Sequence, residues 1–261
     1  MNTAPDGTQS IIRALSILKM FDDVNPSWDL QELTDASQLN KTTLFRILGA
    51  LEYEGLLEKT DEGRYTLGSE MIALGGRAAR VNNLRAVSHA RLKHLTAQSG
   101  ETTTLEVMRI ENDQTWSMLV IDEVLGRYIV GITQYIGSRL PLHATSTGKV
   151  ILAFSDADTR ARLLAAQRAQ FTDDTRIRNS DILQELNTIA EQGFALAYGE
   201  LEAGLVAIGA PIFDANQTVQ AAISLTGPSV RIKRNDVPAL AALVCQHAAD
   251  ISHQLGYRQS Y

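Results

Sequence analysis

Cysteine is nearly absent from this 261-residue chain. The single Cys245 excludes an internal disulfide and a thiolate-rich zinc site. Long apolar runs are missing too. None approaches the roughly 20 residues that span a bilayer, so no membrane partner is expected. The opening MNTAPDGTQS has neither a basic stretch nor an apolar core and does not read as a signal peptide; a cytoplasmic protein is the simplest expectation. Histidines number five and are badly spaced for a metal. His89 and His94, and likewise His247 and His253, miss the i, i+4 spacing that pairs two ligands on a helix. GxSxG and CxxC motifs are lacking, and neither a metal nor a cofactor is expected. Cationic excess is lacking as well. The net charge of −6 argues against indiscriminate coating of nucleic acid. Local basic surface stays open, because residues 77–93 gather Arg77, Arg80, Arg85, Arg91 and Lys93.

What is present is ordinary globular material, 44% hydrophobic and 21% charged, enough for one large domain or two modest ones. The first third is helical in pattern. Ile11, Ala14, Leu15, Leu18 and Phe21 form a stripe at helical spacing. NPS (25–27) breaks the chain, and Asp29 with Glu32 fits a capping box, with Trp28 before it as a hydrophobic staple. A short helix follows. Asn40 then caps a third helix that runs to about Tyr53 and stops at Gly55. In that helix Leu44, Ile47, Leu48 and Leu51 face inward, which leaves Lys41, Thr42, Thr43, Phe45, Arg46 and Gly49 outside. GLLEKT and RYTLG, around a DEG turn, read as two short strands. Three helices and a two-stranded ribbon predict a winged helix-turn-helix.

Beyond it, 68–85 reads as a helix, and a second helix follows to a stop at Gly100. The pattern then changes. TTTLEVMRI, TWSMLVIDE and RYIVGITQY alternate and are rich in β-branched residues, as antiparallel strands should be. After HATSTGK come an apolar helix, a polar one (156–168), and SDILQELNTIAEQG with a Ser cap and a Gly stop. FALAYGE, GLVAIGAPIF and TVQAAISLT supply three more strands, with DANQ as a turn, and a long helix runs from about 235–238 to Gly256. The second half therefore reads as an α+β domain with an antiparallel sheet flanked by helices.

HATSTGK (143–149) mimics a nucleotide-binding loop but fails it. His143 stands where the first Gly belongs, and Val150 where the magnesium-holding hydroxyl belongs. What is left is the start of a helix, whose bare N–H groups suit a carboxylate. On the motif alone, a plain helix cap at a sheet edge is the reading to prefer. The outer face of the third helix carries two cations, two hydroxyls and no acid between Leu39 and Leu51, which suits phosphates and base edges. A solvated helix face would look the same. Lys59 and Arg64 on the ribbon favour DNA; Asp61 and Glu62 at its turn oppose it.

In the order and spacing of its blocks the chain resembles the IclR family of bacterial transcriptional regulators, nearly end to end, from RALSIL (13–18) to ISHQLG (251–256). The blocks are LNKTTLFRILGALEYEGLLEK, GRYTLGSEMIALG, LPLHATSTGKVILAF, QGFALAYGELEAGL and GAPIFDANQTVQAAISLTGPS. The resemblance implies a winged helix-turn-helix (1–67), a linker helix (68–85) and a GAF-like effector-binding domain (86–261). It implies dimers, often tetramers, that bind an operator in double-stranded DNA and a small-molecule effector, expected to be a carboxylate. The helix from Lys41 becomes the recognition helix, with Thr42, Thr43 and Arg46 toward DNA; Phe45 departs from the polar or small aromatic residue usual there. The effector site becomes Ser146, Thr147 and Gly148, Ile129, Ala207, Ser224 and Thr226. Ala207 replaces a polar or sulfur side chain, which implies a roomier or more apolar pocket. Lys149 is expected to support its helix rather than touch a ligand.

Two other readings compete with a regulator. One is an enzyme acting on a small acid, with Glu200 as base and the 146–148 amides as an anion hole. The other is an interaction module whose basic 77–93 helix binds an acidic protein.

Overall fold

A computed structural model describes residues 7–22, 24–81, 83–112, 115–128 and 136–258. The chain divides into two compact units, 1–82 and 83–261. In the first, α1 (Gln9–Leu18), α2 (Leu30–Ser37) and α3 (Lys41–Tyr53) surround a core of Ile17, Leu33, Leu44, Leu48 and Leu57. Residue 29 starts α2 as its sequence suggests. Asp29 Oδ1 accepts from the Glu32 amide and Glu32 Oε2 accepts from the Asp29 amide, both at 2.8 Å. Gln38 makes the turn between α2 and α3 in the left-handed region (φ 56°), a conformation that costs a side chain about 1 kcal/mol. Asn40 then caps α3 by accepting from the Thr43 amide at 2.8 Å.

The wing has one strand more than its sequence suggests. β1 (Ser27–Trp28) pairs with β3 (Tyr65–Leu67), which also pairs with β2 (Leu57–Lys59), giving the order β1–β3–β2. Residues 25–27 read as a break because two paired residues are too few to show an alternation; long-range pairing alone makes them a strand. α4 (Ser69–Val81) completes this unit. The helix expected over 68–85 appears as α4, and Arg85 belongs to α5 (Asn83–Ser99) of the second unit.

In the second unit β4 (Thr102–Asn112), β5 (Thr115–Val124), β6 (Arg139–Pro141), β7 (Ala195–Tyr198), β8 (Leu205–Phe213) and β9 (Val219–Pro228) form one antiparallel sheet ordered β6–β5–β4–β9–β8–β7. The strand expected from RYIVGITQY falls mostly on 129–135, outside the described residues. Alternation along the strands sorts the two faces. Leu105, Val107, Val206, Ile208, Ala210, Ile223 and Leu225 pack with Leu92 and Leu95 of α5 and with Val244 and Ile251 of α9 (Val237–Gln254). The opposite face is covered by α6 (Ser146–Phe154) and α8 (Asn179–Gln192), through Val150, Ile151, Ile182, Leu186 and Ile189. α7 (Ala157–Ala165) lies between these two helices in the chain. α8 starts before the expected Ser cap. Arg178 holds the cap position without a side-chain bond, and the Ser180 hydroxyl donates to its neighbour Asp181.

Small residues let α6 reach this second face. At Gly209 an added Cβ would lie 2.9 Å from the Ser146 carbonyl carbon; at Gly148 it would lie 2.3 Å from the Leu142 carbonyl oxygen. Among the described residues no helix is long and apolar enough to cross a membrane.

Candidate functional site

Two surfaces carry the candidate chemistry, one in each unit. On α3, Leu44, Leu48 and Leu51 are buried, while Lys41, Thr42, Phe45 and Arg46 are exposed and Thr43 is half-buried. Phe45 is 62% exposed, an aromatic ring standing among cations and hydroxyls. The two ribbon cations differ in their commitments. Lys59 is exposed, with Nζ 5.3 Å from the centre of the Tyr65 ring. Arg64 is turned back on its own fold: Nε donates to Ser27 Oγ at 2.9 Å, and Nη2 donates to Ser27 O at 2.8 Å and to Glu32 Oε2 at 2.9 Å. Arg64 thus ties the wing to β1 and to the start of α2.

In the second unit, Ser146 and Thr147 from α6, Ala207 from β8, and Ser224 and Thr226 from β9 line one cavity. β-Sheet register explains the convergence. Thr104 lies opposite Ser224 and Thr102 opposite Thr226, so the even-numbered residues of β4 and β9 share the face that α6 covers. Gly148 serves differently from what its position in the motif suggests. Its amide donates to the capping hydroxyl of Thr145 at 3.2 Å, and its missing Cβ admits the Leu142 backbone. Ile129 lies outside the described residues. Ser146 Oγ is buried and has no hydrogen-bond partner among the described residues.

The cavity also contains an acid that sequence reasoning missed. Glu106 on β4 is 1% exposed. Its Oε1 accepts from Thr104 Oγ1 at 2.7 Å and its Oε2 from Thr147 Oγ1 at 2.5 Å. Burial holds its carboxyl above the ordinary range, an effect the two threonine hydroxyls oppose. A signal existed: Glu106 interrupts a β-branched, alternating run on the same face as Thr104. Glu200 also lines the cavity, but Lys149 holds it. Lys149 is 1% exposed, and its Nζ donates to Glu200 Oε1 at 2.7 Å, to Glu185 Oε1 at 2.8 Å and to Leu196 O at 2.6 Å. Arg176 pairs with Glu185 as well. Burial raises the Glu200 carboxyl, with the Lys149 ammonium pulling the other way.

A much larger space, about 740 Å³, opens beside Trp116, His143, Phe171 and Ile182. We place the candidate site in the smaller cavity because buried hydroxyls and a carboxyl converge there, and orientation in a ligand site comes from such groups.

Known proteins match the chain over nearly its whole length. The model of the IclR helix-turn-helix domain matches residues 10–61, and that of the bacterial transcriptional regulator IclR C-terminal domain matches 76–253. The transcriptional repressor IclR of Escherichia coli is 28% identical over 250 residues, covering 95% of this chain and 90% of that protein. The fold is similar to that of an IclR transcriptional regulator from Alicyclobacillus acidocaldarius, with a TM-score of 0.86, 27% identity, and coverage of 95% of this chain and 99% of that one. It is also similar to that of an IclR homolog from Microbacterium hydrocarbonoxydans complexed with 4-hydroxybenzoate, with a TM-score of 0.80, 22% identity, and coverage of 94% and 98%.

Proposed function

The chain belongs to the IclR family of bacterial transcriptional regulators, and from that membership we propose how its two units divide the work. The protein is a DNA-binding regulator under the control of a small molecule. α3 enters the major groove, where Arg46, Lys41, Thr42 and Thr43 meet base edges and phosphates, and Phe45 meets a thymine methyl. Lys59 lies along the backbone beside the groove. Arg64 supports the wing and contacts phosphate only at the expense of its bonds to Ser27 and Glu32. The protein works in the cytoplasm as a dimer or tetramer, so two recognition helices read half-sites spaced by whole turns of DNA.

The effector is an organic acid held in the cavity of the second unit by Ser146, Thr147, Ser224 and Thr226, with Ala207 leaving room for its apolar part. The observation that carries this reading is the buried, unpartnered Ser146 hydroxyl in a cavity already lined by those of Thr145, Thr147, Ser224 and Thr226. The 4-hydroxybenzoate bound by the Microbacterium protein, an aromatic acid, belongs to the same chemical class. The cavity is only about 20 Å³, roughly the room of one water. An acid therefore enters by displacing side chains that line it, Leu140, Leu201 and Leu205 among them. A ligand that fits one state and not the other supplies the differential affinity that regulation requires, typically about 1–3 kcal/mol. Lys149 donates to Glu200 Oε1 and so pairs the base that the enzymatic alternative needs, which favours the regulator.

Titration of the upstream DNA with the Arg46→Ala variant tests the first half; unchanged, salt-insensitive binding would remove α3 as the reader. A thermal-shift screen with aromatic, sugar and oxo acids tests the second half. Ser224→Ala should lower the shift while leaving DNA binding intact.

A further inference from the structure

The hydroxyls around Glu106 form a relay whose direction its proton decides. Thr104 Oγ1 lies 2.7 Å from Glu106 Oε1 and 2.7 Å from Ser224 Oγ, and Ser224 Oγ lies 3.2 Å from Thr226 Oγ1. Each hydroxyl has one proton to give. When Glu106 is ionised it only accepts, so Thr104 and Thr147 donate to it, Ser224 donates to Thr104, and Thr226 to Ser224. The wall then offers lone pairs to the cavity. When Glu106 is protonated on Oε1 the chain reverses: Glu106 donates to Thr104, Thr104 to Ser224 and Ser224 to Thr226, whose proton is free to point at a ligand.

An anionic effector meets opposite receptions in these two states. Against ionised Glu106 it faces a second buried negative charge and a row of acceptors. Among the described residues no cation reaches Glu106 to compensate. On α6, Lys149 is bound to Glu200 and Glu185. On β5, Asp122 is turned to Arg85 and His89. From β9 the relay partners are the neutral Ser224 and Thr226. Of the described residues lining the cavity only Glu106 and Glu200 titrate.

Building on the effector site proposed above, we infer that a carboxylate effector binds together with one proton, which Glu106 takes up, and that Glu106 is thereby a specificity-determining residue of the pocket. The balance is simple. The effector stays a carboxylate, the Glu106 carboxylate becomes a carboxylic acid, and solvent gives up one proton per ligand. Burial, which already raises the Glu106 carboxyl above the ordinary 4.5, brings this uptake closer to neutral pH.

The test uses the full-length protein with benzoate, gluconate and pyruvate as probes. Between about pH 6 and pH 8 these acids are fully ionised, so any pH dependence belongs to the protein. Affinity of the wild type should fall about tenfold per pH unit once Glu106 is ionised in the free protein. Calorimetry in buffers of different ionisation enthalpy should count up to one proton taken up per ligand. Glu106→Gln, whose amide donates at every pH, should bind at least as tightly at pH 8 and lose the slope; Glu200→Gln should keep it. Equal slopes in wild type and Glu106→Gln, or a slope lost only in Glu200→Gln, would overturn the assignment. So would binding of neutral polyols or amines in place of acids. If no acid shifts either the wild type or Glu106→Gln, the effector-site reading itself fails, an outcome distinct from binding without proton uptake.

Discussion

Replacing Lys149 by methionine tests how far the start of α6 depends on a buried charge network. The substitution keeps the length and apolar stem of the side chain and removes three donated bonds, those to Glu200, Glu185 and the Leu196 carbonyl. Lys149 is 1% exposed and Glu200 5%, so water compensates little. Stranding one partner of a buried pair costs about 3–5 kcal/mol. The orphaned Leu196 carbonyl adds about 1 kcal/mol more. Two effects pull the total down. Arg176 still neutralises Glu185, and Glu200, already raised by burial, can take a proton once Lys149 is gone. A net loss of about 3 kcal/mol near pH 8 is the result we expect, or about 1–2 M off the urea midpoint. The loss should shrink toward pH 5. A carboxyl raised by folding favours the native state below its ordinary value and withdraws that support as pH climbs through its folded value. Urea unfolding followed by fluorescence isolates this unit, because in a Trp28→Phe background the one tryptophan left is Trp116, on β5. A loss below about 1 kcal/mol, or one that does not change with pH, would refute the reasoning.

Gly148→Ala forces a Cβ to within 2.3–2.6 Å of Leu142 backbone atoms, and backbone cannot swing aside as a side chain does; a loss of about 3 kcal/mol or more in the same assay is expected. Arg64→Ala removes the tie from the wing to β1 and α2 and should lower the stability of the first unit by about 1–2 kcal/mol. Lys59→Ala should weaken DNA binding without that loss, as denaturation and filter-binding together would show. Glu106→Gln should be more stable than the wild type near neutral pH, with the gain vanishing toward pH 4. The folded Glu106 carboxyl sits above its ordinary 4.5, so ionising it costs stability that the neutral amide never loses. Melting temperatures measured across that range decide the matter.

Local chemistry was legible wherever partners are near in sequence. The Asp29–Glu32 capping box, the Asn40 cap, the buried leucines of α3 and the strands β8 and β9 obey spacings of three, four or two residues, which any short window displays. The order of motifs likewise placed Ser146, Thr147, Ala207, Ser224 and Thr226 in one proposed site, and the sheet does bring these five to one cavity. Long-range pairing was not legible. β1 exists because Ser27 and Trp28 meet β3 some 37 residues later in the chain, and no two-residue window announces that. Arg64 looked like a phosphate ligand because composition alone does not reveal that Ser27 and Glu32 claim its guanidinium. Glu106 passed unnoticed for a related reason. An acid in a strand reads as solvent-facing until α6 is laid over that face, and then the same carboxyl is buried among hydroxyls from three separate segments. Sequence determined the longer elements and which families of side chain line them, since those follow from backbone geometry and periodicity. The tertiary structure decided which charges are buried, because burial depends on what a distant segment places above them.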